Sequence, residues 1–170
     1  MSIFGIKVIG SSHITDPEFT TKIEKALNLL NTKSNSHLLT IKTYTQTIKA
    51  TAASGANFNG TEMTIEIARS TFDASLEWLA SVLVHENHHL KKFKDSGKKF
   101  GDAHKMSDKK AALQVMINEE LECNRMQVEA LKNIGGSDHE VKYLLAQKGD
   151  HFDVNKDGLY DSSDYGSRTW

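Results

Sequence analysis

Three observations predict an α+β domain. The stretch "TEMTIEIA" (Thr61–Ala68) alternates polar and apolar residues, the period of a half-buried strand. From Asp73 the apolar residues change to helical spacing, with Leu76, Leu79, Ala80, Leu83 and Val84 on one stripe. A second helical stripe fills Ser107–Ile134, so short strands come early and long helices follow.

The elements follow in order. Ile3–Ile9 reads as a first strand. Asp16-Pro17-Glu18 opens a helix with Asp16 as N-cap and Pro17 at the first helical position, where its missing N–H costs nothing; that helix reaches Leu30. "HLLTIKTYTQTI" (His37–Ile48) is rich in β-branched residues and predicts a second strand. The small, polar Thr51–Gly60 segment is a loop. In the strand after it, Met63, Ile65 and Ile67 share one face and Glu62, Thr64 and Glu66 the other. A helix then spans Asp73–Lys94, "DSGKKFGD" breaks it, and Gly135-Gly136 stops the next long helix. Ser137 and Glu140 form a capping box for a short last helix that ends near Gly149. Residues 1–150 form one domain and 151–170 a C-terminal tail.

Composition narrows the function. The 170 residues suffice for one real core, and 21 Lys and Arg against 22 Asp and Glu leave a charge of −1, with no basic excess for nucleic acid. No apolar run approaches the roughly 18 residues that span a bilayer, so a membrane is not an expected partner. "MSIFGIKVIGSS" has neither the basic start nor the small-residue end of a signal peptide. Cys123 is the single cysteine, which excludes an intrachain disulfide framework and suits a reducing cytoplasm, or export without a cleavable signal.

Chemistry concentrates in "LVHENHHLKKF" (Leu83–Phe93), which holds three of the eight histidines. His85 and His89 are four apart in a predicted helix, so their imidazoles stack on one face and reach one ion. Glu86 lies one position round, where it approaches a metal-bound water without ligating the metal. The apolar "WLASVLV" before the motif buries this helix, and a buried helix does not carry such groups without a task. His88 points elsewhere, as an outer or exposed side chain.

With its preceding strand and the acidic helix downstream, His85-Glu86-Asn87-His88-His89 resembles the zincin metallopeptidases, above all the compact gluzincins, over roughly residues 61–134. The resemblance implies a minimal zincin-like domain, a small and mostly antiparallel sheet packed on the motif helix and a second long helix. It implies Zn²⁺, a protein or peptide substrate, and Glu86 as general base for a zinc-activated water. A downstream glutamate would be the third ligand. Glu120 interrupts the apolar stripe of Leu113, Met116, Ile117, Cys123, Asn124, Gln127 and Leu131, where a buried ligand would stand; Glu119 is intermediate and Glu122 falls on the solvated face. "ELECN" (Glu120–Asn124) is also similar to the Glu-x-x-Ala-Asn helix of the ImmA/IrrE-like metallopeptidases, whose leading glutamate maps onto Glu120, with Cys123 in place of alanine. Asp95 has the metzincin spacing, but Lys92 stands where those enzymes need glycine. His104 and Cys123 are the remaining alternatives. The strand Thr61–Ala68 would present backbone to an extended substrate, and an oxyanion partner would come from His139, Tyr143, His151 or Tyr160.

"DVNKDGLYDSSD" fits a calcium loop, with Asp153, Asn155, Asp157, Leu159, Asp161 and Asp164 at positions 1, 3, 5, 7, 9 and 12 and Gly158 at the turn. It resembles EF-hand and dockerin-type loops, and implies a structural Ca²⁺. The expected function is a zinc peptidase; the alternative is a non-catalytic, metal-stabilised binding module or a delivered effector or toxin, whose partner would be a cognate inhibitor or immunity protein.

Overall fold

The structure, a computed structural model, describes residues 1–58, 62–96 and 103–166. It is an α+β fold in which one mixed sheet backs a layer of helices. The first strand is a hairpin rather than one element: β1 (Ser2–Ile3) and β2 (Ile6–Ile9) pair antiparallel around Phe4 and Gly5, both at positive φ (52° and 87°). Two left-handed central residues make a tight turn whose twist matches the strands.

α1 (Asp16–Lys33) buries Phe19, Ile23, Ala26, Leu27 and Leu30. Its N-cap is Thr15, not Asp16, whose carboxylate instead accepts the Gly10 N–H at 2.5 Å. The segment predicted as a strand over His37–Ile48 is instead α2 (Asn35–Tyr44) followed by β3 (Thr47–Thr51). Its buried residues His37, Leu38 and Ile41 recur at helical spacing. The β-branched Thr40 and Thr43 face out and return their hydroxyls to the carbonyls four residues back, at 3.0 and 2.8 Å.

Within the expected loop Thr51–Gly60 lies a short strand, β4 (Gly55–Asn57); β5 (Thr64–Ala68) follows. The sheet order is β1-β2-β3-β5-β4. It is not mostly antiparallel. β2–β3 and β3–β5 are parallel, while β1–β2 and β4–β5 are antiparallel. The helical crossover α1–α2 carries the chain back to the start of the sheet, which forces β3 parallel to β2. β5 is interior, paired on both sides, so its backbone is not free for an extended substrate; β4 is the edge. Ile65 and Ile67 enter the core as the alternation predicts.

α3 (Arg69–Asp73) precedes α4 (Leu76–Asp95), whose start is fixed by Ser75, its hydroxyl accepting the Trp78 N–H at 2.9 Å. α4 packs on α1, α2, β5 and α5 and is buried without interruption from Leu79 to Asn87. α5 (Lys109–Ile134) is capped by the Asp108 carboxylate and ends at Gly135, at φ +88°. The Ser137–Glu140 capping box opens α6 (Asp138–Leu145) as predicted. A single turn at Asp150–Phe152 and α7 (Ser162–Gly166) follow. Among the described residues no helix is long and apolar enough to cross a membrane.

Candidate metal centre

α4 and α5 lie side by side and turn polar groups toward each other out of otherwise apolar faces. His85 and His89 approach through Nε2 at 3.2 Å. Across from them on α5, Glu120 places Oε1 at 3.4 Å from the His85 Nε2 and Oε2 at 3.4 Å from the His89 Nε2. A tetrahedral zinc with bonds of 2.0–2.1 Å requires ligand atoms about 3.3–3.4 Å apart, so the three groups stand at the required separation. Two imidazoles and one carboxylate are also a donor set typical of catalytic zinc, which keeps a fourth position open. Both imidazoles bond the Glu120 carboxylate; against a burial that alone would raise it, they hold that group well below the usual carboxylate range.

Glu119, the neighbouring candidate, sits behind His89. Its Oε1 is 2.7 Å from His89 Nδ1, where it accepts the ring N–H; with an ion bound at Nε2, that contact would hold the ring in its ligating tautomer. Burial raises the Glu119 carboxyl, with His89 working against it. Cys123 completes a group in which His85, His89 and Cys123 offer ligand atoms within 4.8 Å of one another. Its Sγ, however, contacts the rear nitrogen Nδ1 of His89 at 3.5 Å, and burial pushes its thiol up to about 11. The thiol therefore packs behind the ring, outside the triangle. His88 turns away and meets Glu122 at 3.1 Å, where Lys92 also binds. Asp95 is at the far end of α4, held by Lys91 at 2.5 Å and the Tyr44 hydroxyl at 3.3 Å. The side chain of His104 lies outside the described residues.

Glu86 is 9 % exposed, and burial raises its carboxyl, with His85 and His89 opposing. Together with His85 and Glu120 it lines a cleft of about 230 Å³. Of the four residues considered as oxyanion partners, Tyr143 and His151 line this cleft. Tyr160 packs instead with Phe152, Leu113 and Met116, and His139 is not part of the lining. His151 has much of its surface open to solvent, yet the crowding of its ring holds it below the ordinary histidine value. Gly149, at φ +70°, lets the chain pass so close to α5 that a Cβ there would stand 3.0 Å from the Ile117 carbonyl and 3.3 Å from Glu120 Cβ. Asn124, Trp78 and Gly149 also line this wall, beyond the residues the sequence pattern predicts. For Asn124 a signal existed, its spacing of four from Glu120; for Gly149 there was none.

The acidic C-terminal segment is folded around its own backbone. Asp153 accepts the N–H groups of Asp157 and Gly158 at 3.0 and 2.9 Å, and Asp164 those of Val154 and Asp161 at 2.9 and 3.1 Å. Both carboxylates are buried, and Phe152 and Tyr160 on either side pack on α5. Asn155 and Asp157 bond each other, Asp161 accepts from Ser163, and Leu159 is exposed. If the segment takes Ca²⁺, binding to the folded state alone raises the melting temperature with calcium concentration. Asp153→Ala combined with Asp157→Ala then removes that rise. A melting temperature constant up to millimolar calcium, about the weak end for such loops, would leave the segment an acidic turn.

No known protein family, curated protein or solved structure matches the chain.

Proposed function

We propose that the chain is a zinc-dependent metallopeptidase in which His85, His89 and Glu120 hold the ion and Glu86 is the general base. The observation that carries this reading is the approach of the donor groups, His85 Nε2 to His89 Nε2 at 3.2 Å and each of them to a different oxygen of Glu120 at 3.4 Å, beside the cleft that Glu86 lines. When bound, zinc supplies Lewis acidity that polarises a scissile carbonyl and acidifies a water.

The chain's own residues do the rest. Glu86 takes the proton of the attacking water at its carboxylate and delivers it to the leaving amine nitrogen. A carboxyl raised by burial is suited to both halves of that transfer, because it is a stronger base than an exposed one. Glu119 fixes the tautomer and orientation of His89. His151 lines the same cleft, where its imidazole would face the charge that develops on the carbonyl oxygen.

The test is cleavage of a proteome-derived peptide mixture, read by mass spectrometry with and without zinc. Cleavage that appears with zinc and disappears on chelation is expected. Zinc that raises the melting temperature without any cleavage would replace the peptidase reading with a metal-stabilised binding module.

A further inference from the structure

Away from its ligand end, the same cleft has a composition that the hydrolytic chemistry does not use. Asn124 lies one turn beyond Glu120 on α5 and is 7 % exposed. Its carboxamide lines the cleft, with no hydrogen-bond partner among the described residues. That amide faces the open cleft, and it matches both the N–H and the C=O of a peptide backbone. Farther along, Trp78 and Tyr143 form a wall, their rings edge to face with centroids 5.9 Å apart. Tyr143 is 54 % exposed, a large aromatic surface held toward solvent at the mouth of the cleft.

What is missing from the lining also selects. Among the described residues it contains no lysine or arginine, and its only carboxylates are Glu86 and Glu120. A free C-terminus would need a cation, and a free N-terminus a spare carboxylate. With neither on hand, the cleft suits a chain that runs through it.

We infer that the cleft takes an internal, extended stretch of polypeptide: Asn124 hydrogen-bonds its backbone beside the cleaved bond, and the Trp78–Tyr143 wall receives an aromatic or large apolar side chain. The position follows from the helix. Trp78 precedes His85 by seven residues on α4, roughly 10 Å along the axis, which an extended peptide covers in about three residues. This inference rests on the peptidase reading and specifies its substrate.

The experiment uses zinc-loaded full-length protein and proteome-derived peptides blocked by N-acetylation and C-amidation. Blocked peptides are expected to be cut as readily as free ones, with aromatic or large apolar residues enriched two to four positions from the cut. Tyr143→Ala, at an exposed position that does not endanger folding, should lower kcat/KM roughly tenfold on the best such peptide and change its alanine counterpart by about twofold at most. Asn124→Ala should lower kcat/KM on both peptides, with zinc content and melting temperature unchanged. Calorimetry on Glu86→Gln gives a readout independent of turnover: the aromatic peptide binds more tightly than its alanine counterpart, and Tyr143→Ala in that background removes the difference. Cleavage that requires a free terminus, or that shows no aromatic enrichment, overturns this inference and leaves the peptidase reading standing. If no peptide is cut at all, both are overturned.

Discussion

Glu86→Gln lowers peptide turnover by about 10²–10⁴-fold and leaves bound zinc at the wild-type level. The amide has nearly the shape of the carboxylate but cannot accept the water's proton. Glu86 stands outside the His85–His89–Glu120 group, so the proposed ligands are left in place. Metal analysis and kcat on the best-cleaved peptide check both halves. Wild-type turnover in the variant would remove Glu86 from the mechanism, and loss of zinc would make it a ligand.

The second large effect is on affinity for the ion. On the proposed ligand set, Glu120→Ala removes one of three ligands and leaves two imidazoles, and zinc is expected to compete poorly against a chelator of moderate strength. Glu119→Ala is milder, roughly 10–100-fold, because it frees the His89 ring without removing a ligand. Glu122→Ala is close to neutral, since Glu122 bonds His88 and Lys92 on the outer side. The order Glu120, Glu119, Glu122 is the prediction. Greatest loss in Glu119→Ala, or any large loss in Asp95→Ala, contradicts the geometry.

What could be read in the sequence was local. The alternation in Thr61–Ala68 and the stripes of α4 and α5 are consequences of strand and helix periods, and α5 buries Leu113, Met116, Glu120, Cys123, Asn124, Gln127 and Leu131 as its stripe predicts, whereas Ile117 is half-buried and Glu119, expected at the edge, is more buried than Glu120. The facing of His85 and His89 is equally local, set by one helical turn. The errors arose where distant parts of the chain decide. The threonines of α2 favour a strand by intrinsic propensity, whereas burial of His37, Leu38 and Ile41 against the core decides for a helix. The parallel pairing of β3 with both neighbours depends on the crossover and leaves no mark in either strand. The contact of Glu119 with the rear nitrogen of His89 needs the relative rotation of two helices, which stripes define only to within a residue. His151 and Gly149 reach the site because Phe152 anchors the chain on α5, a contact between segments far apart in sequence.

The unbroken burial of α4 from Leu79 to Asn87 has a consequence for how the molecule breathes. Apart from the cleft that Val82, His85 and Glu86 line, that segment is covered by its neighbours, and its amide hydrogens are expected to exchange only on global opening. His85 and Glu86 belong to that slowest class. The wall at Gly149–Phe152 is a single turn on the surface of α5 and exchanges through its own local opening. Two clocks therefore run in one cleft. Hydrogen exchange is therefore expected to separate the Gly149–Phe152 turn from the α4 segment that carries His85 and Glu86.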